Sequence, residues 1–506
     1  MEMFIRQKKN KSGKISIQVI DKSNGKYTVV KTIGSSAQAG TISNMIKEAE
    51  LWIEQRLGMK ELDFTQSDKL LEQLIDSIKE IRIVGTELLL GRMFDQIGFH
   101  VVKDELFRKL VLARLCYPVS KLKTVDYLRR YESYQTNEDD IYRYLDKLNK
   151  TQKRIVEQIS YAHTLKVLNN TIQIVFYDVT TLYFEIEQED TLRKTGYSKE
   201  GKHQNPQIVL GLLVSTNGYP LAYEIYEGKK FEGDTLLPVI NVFKRKYKLD
   251  NLVVVADAGL LSNKNITSLE NNHYQYILGA RIKNEGQSIK NKILSLKLKD
   301  GESEVIAKSE SLRLIVNYSQ ARAKKDNANR EKGIAKLEKQ LKTNKLTKAQ
   351  INNKGYNKFL KMNGEVNITL DQTKIRADKK WDGLKGYITN TSLDKTDVIE
   401  NYSHLWRIEK AFRVAKTDLK IRPIFHFAKR RIEAHICITF VAYKIYKELE
   451  RQLKELKSPL SPEKAIEIAK TIYSITATKP HSKQIFKKTL IINEEQRNLT
   501  TLFNLL

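Results

Sequence analysis

The sequence predicts an α/β chain with a mixed sheet at its centre, and three observations predict it. Two short β-branched runs, Ile172–Val179 and Leu252–Ala256, read as buried strands, and each delivers an aspartate at its end, Asp178 and Asp257. Around them, stretches of strand period alternate with stretches of helical period, the pattern of a sheet covered by helices. The amphipathic segment Tyr402–Lys416 then carries a third acid, Glu409.

Taken in order, residues 1–62 open with two strand-like runs, Lys14–Ile20 and Lys26–Ile33. Asn24-Gly25 joins them and is a strong hairpin signal. A helix over Thr41–Leu57 follows, carrying Ile46, Trp52 and Ile53. Residues 63–168 are helical in pattern. Leu106, Leu110, Val111 and Leu115 share one face of Lys103–Cys116, and Tyr117-Pro118 ends that helix. Ser120 starts a second helix with Leu122, Val125 and Leu128 inside and Arg129 and Arg130 outside. Asn137 to Asp140 cap a third that runs to about Leu148. These basic-faced helices suit a DNA-binding domain, with a scaffold as the alternative.

Residues 169–285 hold the strands Ile172–Val179, Gln207–Ser215 and Tyr219–Tyr226, with Gly218-Tyr219-Pro220 as a tight turn. A helix over Thr235–Tyr247, capped by Asp234, leads to the strand Leu252–Ala256. A helix over Asn263–Asn271 and a strand over Tyr274–Ala280 complete the run. An antiparallel trio continued by a strand–helix–strand unit is the layout of a ribonuclease-H-like core with a mixed five-stranded sheet. Residues 286–377 interrupt it with a β-rich and helical insertion. Its strand-like pieces, Glu304–Ala307, Leu312–Tyr318 and Glu365–Leu370, flank a lysine-rich helical segment from Ala323 to about Leu360. Lys324, Lys325, Arg330, Lys332, Lys336, Lys339, Lys342 and Lys345 spread around that helix, as in a solvated hairpin or a clamp on a DNA backbone. Residues 378–445 return to the sheet edge at Trp381–Thr389 and carry the Glu409 helix. Residues 446–506 form a C-terminal helical region, and basic helical segments from Lys429-Arg430-Arg431 onward lead into it.

Composition bounds the function. The 506 residues are 41% hydrophobic and 29% charged, as in a folded globular protein. A formal charge of +28 points to a polyanionic partner, of which nucleic acid is the commonest, although a lysine-rich composition contributes. Cys116 and Cys437 are too few for a disulfide framework or a zinc site and read as core residues in a reducing cytosol. The amino terminus lacks the apolar core of a signal peptide, and no apolar run approaches the ~20 residues of a membrane span. The expected setting is cytoplasmic, with no membrane partner.

The chemistry follows from three acids in a basic chain. A phosphodiester repels anionic nucleophiles and is a poor leaving group, and two divalent ions about 4 Å apart relieve both problems. Magnesium takes hard oxygen ligands and keeps several waters, so two or three carboxylates suffice. Asp178 and Asp257 on neighbouring strand ends, with Glu409 approaching from a helix, match that need. Tyr402, Glu409 and Lys416 are seven residues apart and share one helical stripe, with Arg413 one turn beyond the acid. Trp406 and Phe412 are expected in the core. Gly196–His203 imitates a phosphate-binding P-loop, with His203 in place of the final Ser or Thr. It follows polar residues and precedes a strand, so nucleotide binding is rejected. Lys199, Lys202 and His203 are read instead as DNA-phosphate contacts. His426 and His435 lack a third soft ligand and are not read as a zinc site.

These residues together resemble the DDE insertion-sequence transposases, in the insertion-sequence-four-like group with a β-rich insertion before the last acid. The family signature on the last helix is Tyr, two residues, Arg, three residues, Glu, six residues, Lys. The chain has Tyr402, Leu405, Glu409 and Lys416 at those places, so the arginine is replaced. Tyr177–Glu185, Gly196–His203, Ala256–Gly259 and Ile421–His426 are also similar to the family. The resemblance implies a ribonuclease-H-like fold with Asp178, Asp257 and Glu409 as metal-ligating catalytic acids. It implies two Mg2+ ions, with Mn2+ able to substitute, and strand transfer of a 3′-hydroxyl. The implied partners are terminal inverted repeats and target DNA, a homodimer in the synaptic complex, and a location beside the bacterial nucleoid. Tyr402, Lys416, Arg413, Lys199, Lys202 and His203 are expected DNA contacts. Trp381 takes the place of the tryptophan on which family members stack a flipped base, with burial in the sheet as the other reading. The alternatives are a ribonuclease-H-like nuclease or resolvase that cuts without joining, and an inactive DNA-binding relic.

Overall fold

Among the described residues eight strands, not five, make up the central sheet; two of the three added strands come from the insertion and the third from the return segment Leu384–Thr389. The computed structural model describes residues 3–23, 25–57, 72–198, 201–249, 251–260, 262–343, 346, 351–352, 355–363, 367–479 and 484–506. The chain divides into two units, Met1–Glu80 with Ile475–Lys488, and Ile81–Ser474 with Thr489–Leu506.

In the first unit, β1 (Met3–Lys9), β2 (Ile15–Asp21) and β3 (Thr28–Ser36) form an antiparallel sheet with β2 in the middle. The helix Ala39–Leu57 packs on it through Ala49, Met45, Ile46 and Trp52, against Ile17 and Val19. The expected two-stranded hairpin thus gains β1. Its charged second half, Arg6 to Lys9, masks the strand signal, yet Met3 and Ile5 pack into the same cluster. Asn24 of the hairpin link lies outside the described residues; Gly25, at φ +70°, adopts the left-handed conformation such a turn requires. Three further strands, β4 (Ile78–Ile83), β15 (Tyr473–Thr478) and β16 (Ile485–Leu490), lie in segments whose sequence reads as helical.

In the second unit the short helix Arg92–Ile97 is followed by helices Glu105–Cys116, Lys121–Tyr131 and Glu138–Lys147. Ser120 and Asn137 cap the latter two, accepting from the amides of Lys123 and Asp140. The buried face of Lys121–Tyr131 is turned from the expected one. Lys121 is buried and Leu122 is exposed, because Thr124, Val125, Tyr127 and Leu128 set the packing stripe.

The sheet then forms from β5 (Ile174–Tyr183), β6 (Gln207–Ser215), β7 (Pro220–Glu227), β8 (Val253–Ala256), β9 (Gln275–Ala280), β10 (Ser303–Ala307), β11 (Arg313–Tyr318) and β14 (Leu384–Thr389), in the order β10-β11-β14-β9-β8-β5-β6-β7. β5 and β8, and β8 and β9, pair in parallel; every other neighbouring pair is antiparallel. The strand order along the chain in 171–285 is the expected one. The insertion strands β10 and β11 extend the sheet instead of standing apart, and β14 lies inside it between β11 and β9, where the sequence suggested an edge. The remaining insertion strands, β12 (Leu360–Asn363) and β13 (Asn367–Leu370), form a separate pair.

Both sheet faces are covered. One core joins Val175, Tyr177, Val254, Ala256 and Leu278 to Leu236, Val239, Ile240 and Phe243 of the helix Leu236–Tyr247. The other joins Phe176, Leu182, Val255 and Ile277 to Ile408, Ala411 and Phe412 and to the long helix Lys429–Glu455. Thr235, without a side-chain cap bond, precedes Leu236–Tyr247; Asp234 instead sits in a short 3-10 turn and pairs with Lys264. Arg430 and Arg431 of the basic run pair with Asp146. Cys116 and Cys437 are buried free thiols. Among the described residues no helix is long and apolar enough to cross a membrane.

The lysine-rich helix runs Gln320–Lys342 and does not reach Leu360, which begins β12; Lys345 lies outside the described residues. Arg330 is not part of a solvated face. It is buried, and its guanidinium forks onto Asp382 (Nη2–Oδ2 2.6 Å), just ahead of β14. Removing one partner of a buried, bidentate pair leaves the other charge unpaired, at a cost of about 3 kcal/mol. Arg330→Ala is therefore expected to raise amide hydrogen exchange in Gln320–Lys342 and β14 selectively, leaving β1–β3 unchanged.

Candidate active site

β5 and β8 run parallel with Tyr177 opposite Ala256, so Asp178 and Asp257 follow as the next pair on adjacent strands, which are spaced roughly 4.8 Å apart. Side chains alternate along a strand, and the neighbours identify the face. Phe176 and Val255 enter the core beneath the Glu409 helix, while Tyr177 and Ala256 enter the opposite one. Both acids therefore point to the Glu409 side of the sheet, at the carboxyl ends of parallel strands, where open α/β sheets hold their sites. Each is oriented by the next backbone amide: Val179 N donates to Asp178 Oδ1 (2.8 Å), and Ala258 N donates to Asp257 Oδ1 (2.6 Å).

The segment Tyr402–Lys416 is not the single helix its periodicity suggests. Lys395–Ser403 and Trp406–Thr417 are separate helices, with a tight turn at His404–Leu405 (Leu405 N to Tyr402 O, 3.0 Å). Tyr402, Leu405 and Ile408 are all buried, and the turn lets each reach the core. The break takes Tyr402 off the stripe of Glu409. Glu409 is exposed in the first turn of its helix, which is anchored by Ile408, Ala411, Phe412 and Val414 and by the ion pair of Lys410 with Glu450. Phe412 is in the core as expected; Trp406, at 52% exposure, is not, because it opens the helix on its outer side.

Tyr402 turns inward and is 6% exposed, with its hydroxyl donating to Asp257 Oδ1 (3.1 Å). The expected DNA contact is thus occupied by a catalytic candidate. Burial, reinforced by the charges of Asp257 and Glu409, pushes the phenol far above its ordinary range, so it stays a donor. Gly279 on β9 makes room for it, since a Cβ there would lie 2.4 Å from the Tyr402 hydroxyl. On the far side of Tyr402, Lys385 of β14 places its ammonium 4.4 Å from the ring centroid. Burial and Arg322 lower the lysine's pKa, while Asp257 and Glu409 oppose that shift, so one cation feels both acids. Glu232 also approaches: a Cβ on Gly259 would lie 3.8 Å from Glu232 Oε2 and 3.9 Å from Asp257 Oδ2. Neither Lys385 nor Glu232 carries a sequence signal. Each sits in an ordinary strand or turn context, and only the sheet order brings it here.

The other expected residues separate. Lys202 is exposed with its ammonium 5.4 Å from the Tyr183 ring, and Arg422 stands 5.6 Å from the same ring. Exposed His203 accepts at Nδ1 from Ser198 N. Lys199 lies outside the described residues. Arg413 is exposed and Lys416 half-buried on the Glu409 helix. Trp381, half-buried, lines a cavity of about 470 Å³ with Arg281, Arg322, Tyr356 and Lys385.

The donor set around Asp257, with Tyr402 and Glu232 nearby, is all hard oxygen, which suits Mg2+ or Mn2+. Among the described residues no three carboxylate, histidine or cysteine side chains already converge closely enough to hold an ion. Asp178 and Asp257 follow in register on adjacent strand ends, and Glu409 lies exposed on the helix that packs on the same face.

A model of the transposase DDE domain matches residues 169–445. No curated protein matches the chain. Solved structures that align with it include the piggyBac transposase synaptic complex with hairpin DNA, 9% identical over 76% of this chain and 78% of that one, with a TM-score of 0.37. The Mos1 transposase paired-end complex with left transposon end is 11% identical over 33% of this chain and 56% of that one, with a TM-score of 0.16. At these scores the structural likeness carries no weight, and the family match rests on the sequence.

Loss of an outer partner of a metal ligand costs roughly 10- to 100-fold in metal affinity or activity. Tyr402→Phe is expected to show a loss of that size in Mn2+ affinity, measured by calorimetry. Gly279→Ala should reproduce it by displacing the hydroxyl, and an unchanged affinity in both would remove Tyr402 from the site.

Proposed function

Because the chain belongs to the transposase DDE-domain family, we propose that Asp178, Asp257 and Glu409 are the acids at which its chemistry takes place. The protein is a DDE transposase, a metal-dependent enzyme that cleaves DNA at transposon ends and transfers the 3′-hydroxyl strand to a target. The observation that carries the site assignment is the in-register parallel pairing that sets Asp178 beside Asp257 under the Glu409 helix.

In this reading Asp178 and Asp257 hold two Mg2+ ions, with Mn2+ able to replace them, and Glu409 closes the set from its helix. Bound there, the ions supply charge neutralisation at the phosphate and an activated attacking oxygen. Tyr402 steadies Asp257 by donating to its Oδ1. The buried helix face of Ile408, Ala411 and Phe412 fixes the height of Glu409 above the sheet. Arg413 and Lys416, on the same helix, and Lys202 and His203, on the loop after β5, are proposed phosphate contacts along the DNA, with Lys199 on the same loop. The cavity lined by Trp381 is proposed to receive a base turned out of the duplex at the element's end. The sheet from β5 to β9 with β14 is proposed as a ribonuclease-H-like core, extended by β10 and β11. The helices of residues 63–168 are proposed to bind the inverted repeats, and two copies to synapse a pair of ends.

Asp257→Asn and Glu409→Gln are expected to abolish Mg2+-dependent cleavage of the flanking inverted repeats, by more than the roughly 100-fold that loss of an outer-shell partner can cost. DNA binding in Ca2+ should persist. Retained cleavage in either variant would overturn the assignment. With pre-nicked ends, joined products separate a transposase from a nuclease that only cuts.

A further inference from the structure

Lys385 of β14 stands beside these acids. It lies on β14, paired opposite Asn317, and Tyr387 two residues on enters the core beneath the Glu409 helix. The period of two puts Lys385 on that same face, shared with Asp178 and Asp257. Its ammonium is 4.4 Å from the centroid of the Tyr402 ring and 5.4 Å from that of Tyr387. Two ring faces hold the ammonium, and neither can accept its three N–H bonds as an oxygen would. Asp257 and Glu409 act on it through space. Its other side borders the 470 Å³ cavity, where Arg281, Arg322 and Trp381 are its neighbours.

Lys385 is thus shared between the acid group and a cavity in whose lining six arginines and lysines, Lys385 included, outnumber Asp326, Asp378 and Asp382. A DNA strand that enters the cavity from the acids must pass its phosphate across this point. We propose that Lys385 is a phosphate-contacting residue of the active site, its ammonium gripping a non-bridging oxygen of the DNA strand between the acid group and the Trp381 cavity. The proposal rests on the transposase reading of that site. The tyrosine rings hold the ammonium in place without offering it an oxygen acceptor. When DNA arrives, the phosphate offers the oxygen acceptor that the rings lack. A lysine that merely balanced the acids would instead stabilise the empty protein and leave DNA binding unmoved.

The test compares wild type, Lys385→Ala and Lys385→Arg on transposon-end DNA in Ca2+, over a range of salt concentrations, with Mn2+ affinity of the DNA-free proteins measured alongside. Loss of one phosphate contact is expected to lower the slope of log K against log salt by about one. A lost charged hydrogen bond should weaken binding roughly 10- to 100-fold, with Lys385→Arg restoring part of it. Mn2+ affinity should hold or rise, since a competing cation has been removed. A readout free of any folding effect uses a neutral methylphosphonate at each position near the cleavage site. One such position should weaken wild-type binding and leave Lys385→Ala no weaker than before. If Lys385→Ala matches wild type in slope, affinity and cleavage, or if Mn2+ affinity falls while DNA binding is unchanged, the proposal is overturned. Absence of Mg2+-dependent cleavage by wild type would instead sink the reading of the acids themselves.

Discussion

Two like charges side by side at the end of one sheet are the constraint around which this protein is built. Parallel pairing of β5 and β8 in register leaves Asp178 and Asp257 adjacent and facing the same way. Such a pair is unfavourable in an uncharged surrounding, which is why it needs donors and cations close by. The immediate neighbours share the task of tolerating it. Each aspartate takes a backbone amide at Oδ1, Tyr402 adds a hydroxyl to Asp257, and Lys385 supplies positive charge from across the ring. The same arrangement would suit the divalent metal proposed for these acids.

The packing behind the acids is what gives the site a shape. The face opposite is closed by Leu236, Val239, Ile240 and Phe243, so the strands cannot shift to relieve the repulsion. On the near face, the break at His404–Leu405 is central: it lets Tyr402 sink onto Asp257 while Glu409 stays at the surface on its own helix. A continuous helix would have held both on one stripe and left Asp257 without its hydroxyl partner. Gly279 belongs to the same device, since only a residue without Cβ leaves space for the phenol. The insertion contributes through β10 and β11, which extend the sheet beyond β14, and through Arg330, whose fork on Asp382 holds the turn before Lys385.

Much of this was legible in the residues. The β-branched runs ending in Asp178 and Asp257 became strands β5 and β8, and the order of strands and helices over 171–285 followed the hydrophobic period, because burial imposes that period locally. The buried Phe412 and the caps at Ser120 and Asn137 were readable for the same reason. Where the reading missed, tertiary contacts had overruled local pattern. β1 was hidden by its charges, Leu122 was exposed by a rotation of its helix, and Leu360 fell into a strand pair instead of the lysine-rich helix. Lys385 and Glu232 stand near the acids with no motif to announce them.

The sequence by itself determined which side chains this protein has for its chemistry: two strand-end aspartates, a helical glutamate and an excess of cations, together with the family to which they belong. Those are properties of residue type and short-range period, and no fold is needed to read them. Which of them meet was decided only by the tertiary structure. Asp257 and Tyr402 are 145 residues apart, and β14 reaches the interior of the sheet only after a long insertion. Contacts of that separation are set by strand order and helix placement, which depend on how whole faces bury against one another and leave no trace in any short stretch of chain.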